Sequence, residues 1–280
     1  MRPSFISALL LAALPVFPQL PVPNKAGISA GHDVLRSKDV EAANKFWQAI
    51  GGVPAQFAGR LNLMKFPGLL ILEINNAGGR GRGGANPAPA PTPPPELLGS
   101  EGSSLDFMGF SVKDLKGSLA HWASAGITPL PGGSGKQVYL MTPDKIKVRI
   151  TEDKSLNVPI QADTIKMVVP NVSEAQAWYA KYFGADMVKH GNEKVANIPG
   201  SSILFEQAKG PVAATRGRAW DRIGLEVVDL AAQVKKLEDG GVKLDSPYNG
   251  KNAQMNAGFA VFQDPFGTLI EMSEGLSAVK

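Results

Sequence analysis

The sequence predicts an α+β protein made of four consecutive strand–helix–three-strand (βαβββ) units. Two pairs of similar segments predict this fold class. Residues 106–115 (DFMGFSVKDL) and 221–230 (DRIGLEVVDL) are strand-like runs that end in Asp-Leu and precede an amphipathic helix pattern. Residues 32–52 and 164–184 share a strand pattern, a capping position and a helix with two adjacent aromatic residues. The predicted units lie near residues 28–76, 103–153, 162–208 and 218–274.

Each of the four helices is predicted to begin after a capping side chain. A short carboxylate or amide at that position accepts hydrogen bonds from the free amides of the first helical turn. Apolar residues at helical spacing follow each cap, so each helix is expected to pack one face on a sheet. The predicted caps are Asp39, Asp114, Asn171 and Asp229.

Short turns separate the strands that follow the helices. Pro67-Gly68 and Pro199-Gly200 mark matching turns in the first and third units, and residues 264–267 (DPFG) form a tight turn in the fourth. Side chains alternate along a strand between the two faces of its sheet. One face of each sheet is therefore expected to pack on helices, and the other to face a shared cavity.

Two segments fall outside the predicted units. Residues 1–22 are predicted to be a signal peptide, because Arg2 precedes an apolar run over residues 5–17 that is too short to span a membrane comfortably. This predicts a secreted or periplasmic protein. Residues 77–102, between the first two units, are rich in Gly and Pro and predict a flexible linker.

Composition excludes several classes of function. The net charge of +4 is spread along the chain, which argues against a nucleic-acid-binding surface. Cysteine is absent, which excludes disulfides, thiol catalysis and thiolate metal sites. The expected partner is a small-molecule ligand, with no nucleic acid and no membrane after signal removal. The protein is expected to be a monomer or a homodimer.

The third and fourth units resemble a known family. Residues 220–227 (WDRIGLEV) together with residues 264–271 (DPFGTLIE) are similar to paired modules of the vicinal oxygen chelate superfamily, which includes glyoxalases, bleomycin resistance proteins and dioxygenases. The resemblance extends over the whole chain apart from the predicted signal peptide and linker. It implies two domains with cupped mixed sheets, over residues 28–153 and 162–276.

The resemblance also implies a position for a metal ion. In this family a divalent ion lies in the cup between two modules, held by a His from the first strand and a Glu from a later strand of each. Imidazole and carboxylate suit Zn, Ni, Fe or Mn, and open coordination positions accept substrate oxygens. The matching positions here are His32 and Glu73, Phe107 and Arg149, Thr164 and Phe205 (or Glu206), and Arg222 and Glu271.

The order of the units leaves two pairings open. If units pair within each half of the chain, neither cup keeps a full ligand set. If they pair crosswise, the first and fourth units bring together His32, Glu73 and Glu271 as metal ligands. In that reading Glu271 and Glu73 are the expected catalytic carboxylates. In either pairing the cup with Thr164, Phe205, Phe107 and Arg149 is expected to hold no metal and to be inactive. Arg222 and Arg149 are the expected substrate-binding residues.

Each of these residues also has a structural interpretation. His32 fits a core histidine that is hydrogen-bonded to a neighbour. Glu271 fits a structural ion pair with Arg222. A buried Glu73 requires a partner, which is a metal, His32 or Arg149.

Three functions follow from these alternatives. The first is a metal-dependent lyase, isomerase or dioxygenase. The second is metal-free binding of a small planar or cationic molecule. The third is a structural module that has lost its chemistry.

Overall fold

The computed structural model describes residues 20–59, 61–76 and 96–279, and it contains the four predicted units in the predicted order. The first unit comprises β1 (Ile28–Ser37), α1 (Val40–Ala49), β2 (Val53–Phe57), β3 (Leu61–Phe66) and β4 (Leu69–Asn75). The second comprises β5 (Leu105–Val112), α2 (Leu115–Ser124), β6 (Leu130–Ser134), β7 (Gln137–Met141) and β8 (Lys147–Glu152). Residues 1–19 of the predicted signal peptide and residues 77–95 of the predicted linker lie outside the described residues.

The second half of the chain repeats this pattern with one change. The third unit comprises β9 (Ile160–Val169), α3 (Val172–Phe183), β10 (Asp186–His190), β11 (Glu193–Ile198) and β12 (Ser201–Gln207). The fourth comprises β13 (Trp220–Val227), α4 (Leu230–Asp239), β14 (Gly258–Gln263) and β15 (Leu269–Glu274), followed by a 3₁₀ helix (Leu276–Ala278). In place of a third strand, Leu244 makes only an isolated bridge to Phe262. Pro247 and Gly250 follow directly, and neither favours a continuous strand.

All four predicted helix caps are confirmed. In each case the capping side chain accepts a hydrogen bond from a first-turn amide, which satisfies a donor that has no partner within the helix. The accepted amides are Ala42 for Asp39, Gly117 for Asp114, Ser173 and Glu174 for Asn171, and Ala232 for Asp229.

The units pair crosswise to form two sheets. The first and fourth units form a seven-stranded sheet in the order β14-β15-β13-β1-β4-β3-β2. The third and second units form an eight-stranded sheet in the order β10-β11-β12-β9-β5-β8-β7-β6. In each sheet the two units join at the centre, where their first strands pair antiparallel: β1 with β13, and β5 with β9. The crosswise alternative therefore holds.

This pairing changes what the predicted domain boundaries mean. Residues 28–153 and 162–276 are stretches of chain, and each sheet takes one unit from each stretch. Whether either stretch folds by itself stays a prediction.

The two sheets are tied together by matching turns. The amide of Ala162 on β9 donates to the carbonyl of Pro67 at 3.1 Å, and the amide of Ala30 on β1 donates to the carbonyl of Pro199 at 2.8 Å. Gly68 and Gly200 complete these turns at φ of +85° and +87°, as the Pro-Gly pairs predict. Within the described residues no helix is long and apolar enough to cross a membrane.

Candidate functional site

The first cup is the face of the seven-stranded sheet that turns away from the helices. Strand alternation divides its residues: Leu35 and Ile71 pack into the main core with Trp47, whereas Val34 and Leu70 belong to a separate cluster on the cup face. His32 pairs in register with Leu70 and lies on this face.

His32, Glu271 and Arg222 meet at the floor of the first cup. His32 Nε2 lies 3.1 Å from Glu271 Oε1, and Arg222 Nη1 donates to Glu271 Oε2 at 2.9 Å. His32 and Glu271 are each 1% exposed. Because a carboxylate only accepts, His32 Nε2 is the donor in the first contact. Both carboxylate oxygens are thus engaged, as the structural interpretation of these residues expects.

Arg222 and His32, on either side of Glu271, each make further contacts. Arg222 Nε donates to Asp221 Oδ2 at 2.8 Å. On the other side His32 Nδ1 lies 3.4 Å from Ser273 Oγ, which donates to Glu226 Oε2 at 2.7 Å. A side-chain Cβ at position 224 would come within 2.4 Å of His32 Nδ1, so glycine is required there for the close approach of β13 to His32.

The structure does not bring Glu73 to this group. Glu73 pairs in register with Leu35 and so lies on the helix face of the sheet. Its Oε1 accepts from Trp47 Nε1 at 2.7 Å, and its Oε2 has no hydrogen-bond partner among the described residues. Burial raises the pKa of Glu73 to about 7. The hydrogen bond from Trp47 lowers this pKa, and the negative charge of nearby Asp144 raises it further. The expected partners were a metal, His32 or Arg149, and the partner found is Trp47.

The second cup is the corresponding face of the eight-stranded sheet. Arg149 on β8 places its guanidinium carbon 4.6 Å from the centre of the Phe107 ring on β5. Phe107 in turn meets Tyr139 edge-on at 5.9 Å. The Arg149 Nε is buried with no hydrogen-bond partner among the described residues. Arg149 therefore lies in a different sheet from Glu73 and Arg222 and contacts none of the expected ligand residues of the first cup.

A buried carboxyl group lies beside Arg149. Asp163 accepts hydrogen bonds from Thr164 Oγ1 at 2.7 Å and from the Ser111 hydroxyl. Burial raises the pKa of Asp163, while these hydrogen bonds and the positive charge of Arg149 oppose the rise. Thr164, at a position where the family resemblance implies a histidine, thus orients a carboxylate.

Lys166 is a residue of the second cup that the sequence did not single out. Its Nζ lies 2.5 Å from Glu193 Oε1 and 3.3 Å from Glu206 Oε2, although the lysine side chain is only 7% exposed. Glu206 is thus the β12 carboxylate that reaches this cup, and Phe205 packs in the core against Tyr179 at 5.6 Å. Thr164 and Lys166 are two residues apart on β9 and so share a face of the sheet, and this alternation could have placed Lys166 in the cup.

The two cups differ in what fills them. In the first, the apolar floor packs against Ala257, which precedes β14, and against Leu276 and Val279 near the end of the chain. The Glu226 Oε1 holds this segment by accepting from the amides of Gly275 at 2.9 Å and Ser277 at 3.1 Å. The second cup has a smaller apolar cluster of Phe107, Val195 and Leu204.

A cavity of about 770 Å³ lies at the ends of the strands of the third unit, and the cup-face residues Asp186, Asn197 and Ser202 form part of its lining. Such a volume suits a small ligand. The second cup therefore keeps space for a ligand, whereas the floor of the first is covered by its own chain.

The residues of the first cup do not fit a divalent metal. Of the expected ligands only His32 and Glu271 converge, and nowhere in the described chain do three or more His, Cys, Asp or Glu side chains form a group suited to a metal. The guanidinium of Arg222 lies 2.9 Å from the carboxylate that would bind the ion, and it repels a cation directly.

Comparisons with known proteins agree with this architecture. A family profile described as "Glyoxalase/Bleomycin resistance protein/Dioxygenase superfamily" matches residues 161–272. Glyoxalase I from Zea mays is 14% identical with a TM-score of 0.66, and the alignment covers 89% of this chain and 93% of that one. A putative dioxygenase from Bacillus subtilis is 12% identical with a TM-score of 0.61, covering 93% and 88%. No curated relative matches the sequence.

At these identities the structural similarity shows the fold alone. The chain as a whole has the glyoxalase I-like fold of these structures, and residues 161–272 match the profile of the glyoxalase/bleomycin resistance protein/dioxygenase superfamily.

Proposed function

We propose that this protein binds a small molecule in its second cup without a metal ion. The observation that carries the proposal is the contact of Arg222 with Glu271 in the first cup, where the resemblance expects an ion. An arginine also takes a ligand position in the second cup, where Arg149 lies over Phe107. Since a fixed positive charge in each cup disfavours a divalent cation, neither cup is assigned a metal.

The second cup is the better binding site because it has both space and functional groups. Its cavity of about 770 Å³ contrasts with the first cup, where Leu276 and Val279 cover the apolar floor. Outside the lining of this cavity, the same face of the sheet has the Arg149 guanidinium over the Phe107 ring, with Tyr139 beside that ring. Such groups suit a planar part of a ligand.

The proposal assigns no catalytic step. Both oxygens of Glu271 are engaged by His32 and Arg222, so a base there would first have to break an ion pair. Glu73 has a pKa of about 7, which suits a general base, but it lies on the helix face against Trp47. Neither carboxylate faces the cavity of the second cup.

We further propose that the protein is exported after cleavage near residue 22. Such a cut would leave Asn24, whose Nδ2 donates to the carbonyl of Phe183 at 2.9 Å and whose Oδ1 accepts from the amide of Ala26 at 2.9 Å. N-terminal sequencing of protein recovered from the periplasm of a bacterial host tests this directly. An unprocessed N-terminus would contradict export.

One chain supplies both units of each cup, so binding requires no second copy. A monomer is thus sufficient for the proposed function. Light scattering of the purified protein measures its mass in solution and tests this, and a monomer is the expected result. A second copy would be required only if two chains exchanged units to build each sheet.

Metal analysis of the purified protein tests the central part of the proposal. We expect far less than one metal per chain, and a melting temperature that a chelator does not change. The double variant His32→Ala/Glu271→Ala is the control, because it removes both potential ligands. Stoichiometric metal in the wild-type protein that disappears in the double variant would overturn the proposal. If the protein holds neither a metal nor any ligand, the structural-module alternative replaces it.

A further inference from the structure

We infer that the cavity of the second cup binds a small hydroxylated molecule, neutral or cationic, through Asn197, Ser202 and Asp186. The inference rests on the proposed function, since it names the ligand class of the same cup. It depends on four observations: a row of polar residues, an unpartnered buried atom in that row, a wall that other contacts hold in place, and an excess of acceptors.

The polar residues form a row across neighbouring strands. Asp186 on β10 lies opposite Asn197 on β11, Asn197 opposite Ser202 on β12, and Ser202 beside Thr164 on β9. Residues that pair in register point to the same face and lie about 5 Å apart. The row therefore presents polar groups at a spacing that neighbouring hydroxyl groups of one ligand can bridge.

One buried atom in the cavity wall needs a hydrogen-bond partner. Asn197 lines the cavity, and its Oδ1 is buried with no partner among the described residues. Leaving such a group unsatisfied costs about 1–3 kcal/mol, so a ligand that satisfies it gains affinity. Ser202, which pairs with Asn197, adds a hydroxyl on the same face.

The opposite wall is fixed in place by its own contacts. Asn24 also lines the cavity, but its Oδ1 accepts from the amides of Ala26 and Ile28 and its Nδ2 donates to the carbonyl of Phe183. The side chain is thus engaged at both atoms. It shapes the cavity and leaves recognition to the residues on the strands.

The chemistry of the wall favours a ligand that donates hydrogen bonds. Two carboxylates, Asp163 and Asp186, line the cavity, and Lys25 is the single cation among the described lining residues. Carboxylate and amide oxygens only accept, whereas a serine hydroxyl both donates and accepts. A ligand hydroxyl matches all of these groups, and an ammonium group adds an attraction to Asp186. A ligand carboxylate would instead meet like charge.

Three sugars that share the same pyranose ring but differ in charge test the inference. Glucose, glucosamine and glucuronate are titrated into the ¹⁵N-labelled full chain, and the amide resonances of Asn197, Ser201 and Ser202 are followed. We expect glucose and glucosamine to shift these resonances, and glucuronate to bind about tenfold more weakly.

Matched variants assign the contacts. Asn197→Leu is expected to weaken binding of glucose and glucosamine about tenfold. Asp186→Asn, at an exposed position, is expected to lower the affinity for glucosamine alone. Asn62→Leu on β3 of the seven-stranded sheet is the control and is expected to change neither affinity.

Shifts by glucuronate alone, shifts confined to the first cup, or no shifts with any of the three sugars would overturn the inference. These outcomes are separate from the metal analysis, which alone decides whether the cups are metal-free. If the protein contains no metal and none of the three sugars binds, the proposed function still stands, but the proposed ligand class is wrong.

Discussion

The two cups have the same strand layout but opposite chemistry at corresponding positions. In the first cup Gly224 on β13 pairs with the anion Glu271; in the second Gly109 on β5 pairs with the cation Arg149. Two residues before these glycines lie Arg222 and Phe107, and each contacts the charged residue of its own cup. The backbone arrangement is thus shared, with an ion pair at the expected metal position of the first cup and a guanidinium over an aromatic ring at that of the second.

The cups also differ in what lies over them. Leu276 and Val279 cover the floor of the first cup, whereas the second opens onto a cavity. We therefore expect the buried charges of the first cup to contribute to stability, and the polar groups of the second to contribute to ligand binding. Four predictions test this division, in order of decreasing effect.

The largest effect is expected from Glu271→Ala. This change leaves the buried His32 and the largely buried Arg222 without the carboxylate that pairs both. Breaking a buried pair from one side costs about 3–5 kcal/mol, and urea unfolding measures it. The matched change in the second cup, Glu206→Ala, removes a half-exposed partner of Lys166 and is expected to cost less than about 1 kcal/mol. Equal small losses would show that the first cup is not held by its ion pair.

The segment over the first cup gives the second prediction. Leu276 is 4% exposed in the apolar cluster, so Leu276→Ala is expected to lower the free energy of unfolding by about 2–4 kcal/mol. Leu98→Ala, at a position 47% exposed, is the control and should cost far less. A loss no larger than that of the control would mean that the segment does not close the cup in solution.

The third prediction concerns pH and Asp33, which directly follows His32. Burial raises the pKa of Asp33 to about 8, although the backbone of Gly224 opposes the rise. A pKa that is higher in the folded than in the unfolded state makes stability fall as pH rises from about 4 to about 8, by at most about 1.4 kcal/mol per pH unit. Asp33→Asn cannot ionise, so its unfolding free energy should fall less steeply over this range.

Urea unfolding between pH 5 and pH 8 measures this difference in slope. Other buried carboxyls with raised pKa values, such as Asp264 at about 6, add to the slope of both proteins and cancel in the comparison. The second cup has Ile165 at the position that corresponds to Asp33. Parallel slopes in the two proteins would contradict a neutral, buried Asp33.

The smallest effect is expected from the aromatic wall of the second cup. Phe107→Leu keeps an apolar side chain but removes the ring that Arg149 stacks on, at 4.6 Å. The loss of stacking is expected to cost about 0.5–1 kcal/mol in urea unfolding. A loss as large as that of Glu271→Ala would mean that the second cup is also built for stability, and its role in binding would lose support.

Much of the fold could be predicted from the sequence because its signals are local. Caps such as Asp39 and turns such as Pro67-Gly68 depend on a few neighbouring residues, and both are found where expected. Pairing of the units could not be predicted, because the antiparallel contact of β1 with β13 joins residues far apart in the chain.

The candidate site was harder to predict, for a similar reason. His32, Arg222 and Glu271 were identified from their positions and do meet. Glu73 was misplaced because the run Leu-Leu-Ile-Leu-Glu-Ile has no polar alternation that indicates which face each residue takes. The packing of Leu276 over the floor of the first cup could not be predicted, because it depends on tertiary contacts alone.

The most direct test of the central claim is Arg222→His. If the guanidinium is what excludes a metal, this change supplies a second imidazole beside His32 and Glu271, a ligand set suited to a divalent transition metal. Titration with Ni²⁺ in a calorimeter is predicted to show one site in the variant and none in the wild-type protein. Removal of His32 from the variant should abolish that site. Stoichiometric Ni²⁺ binding by the wild-type protein, lost on His32→Ala, would contradict the account.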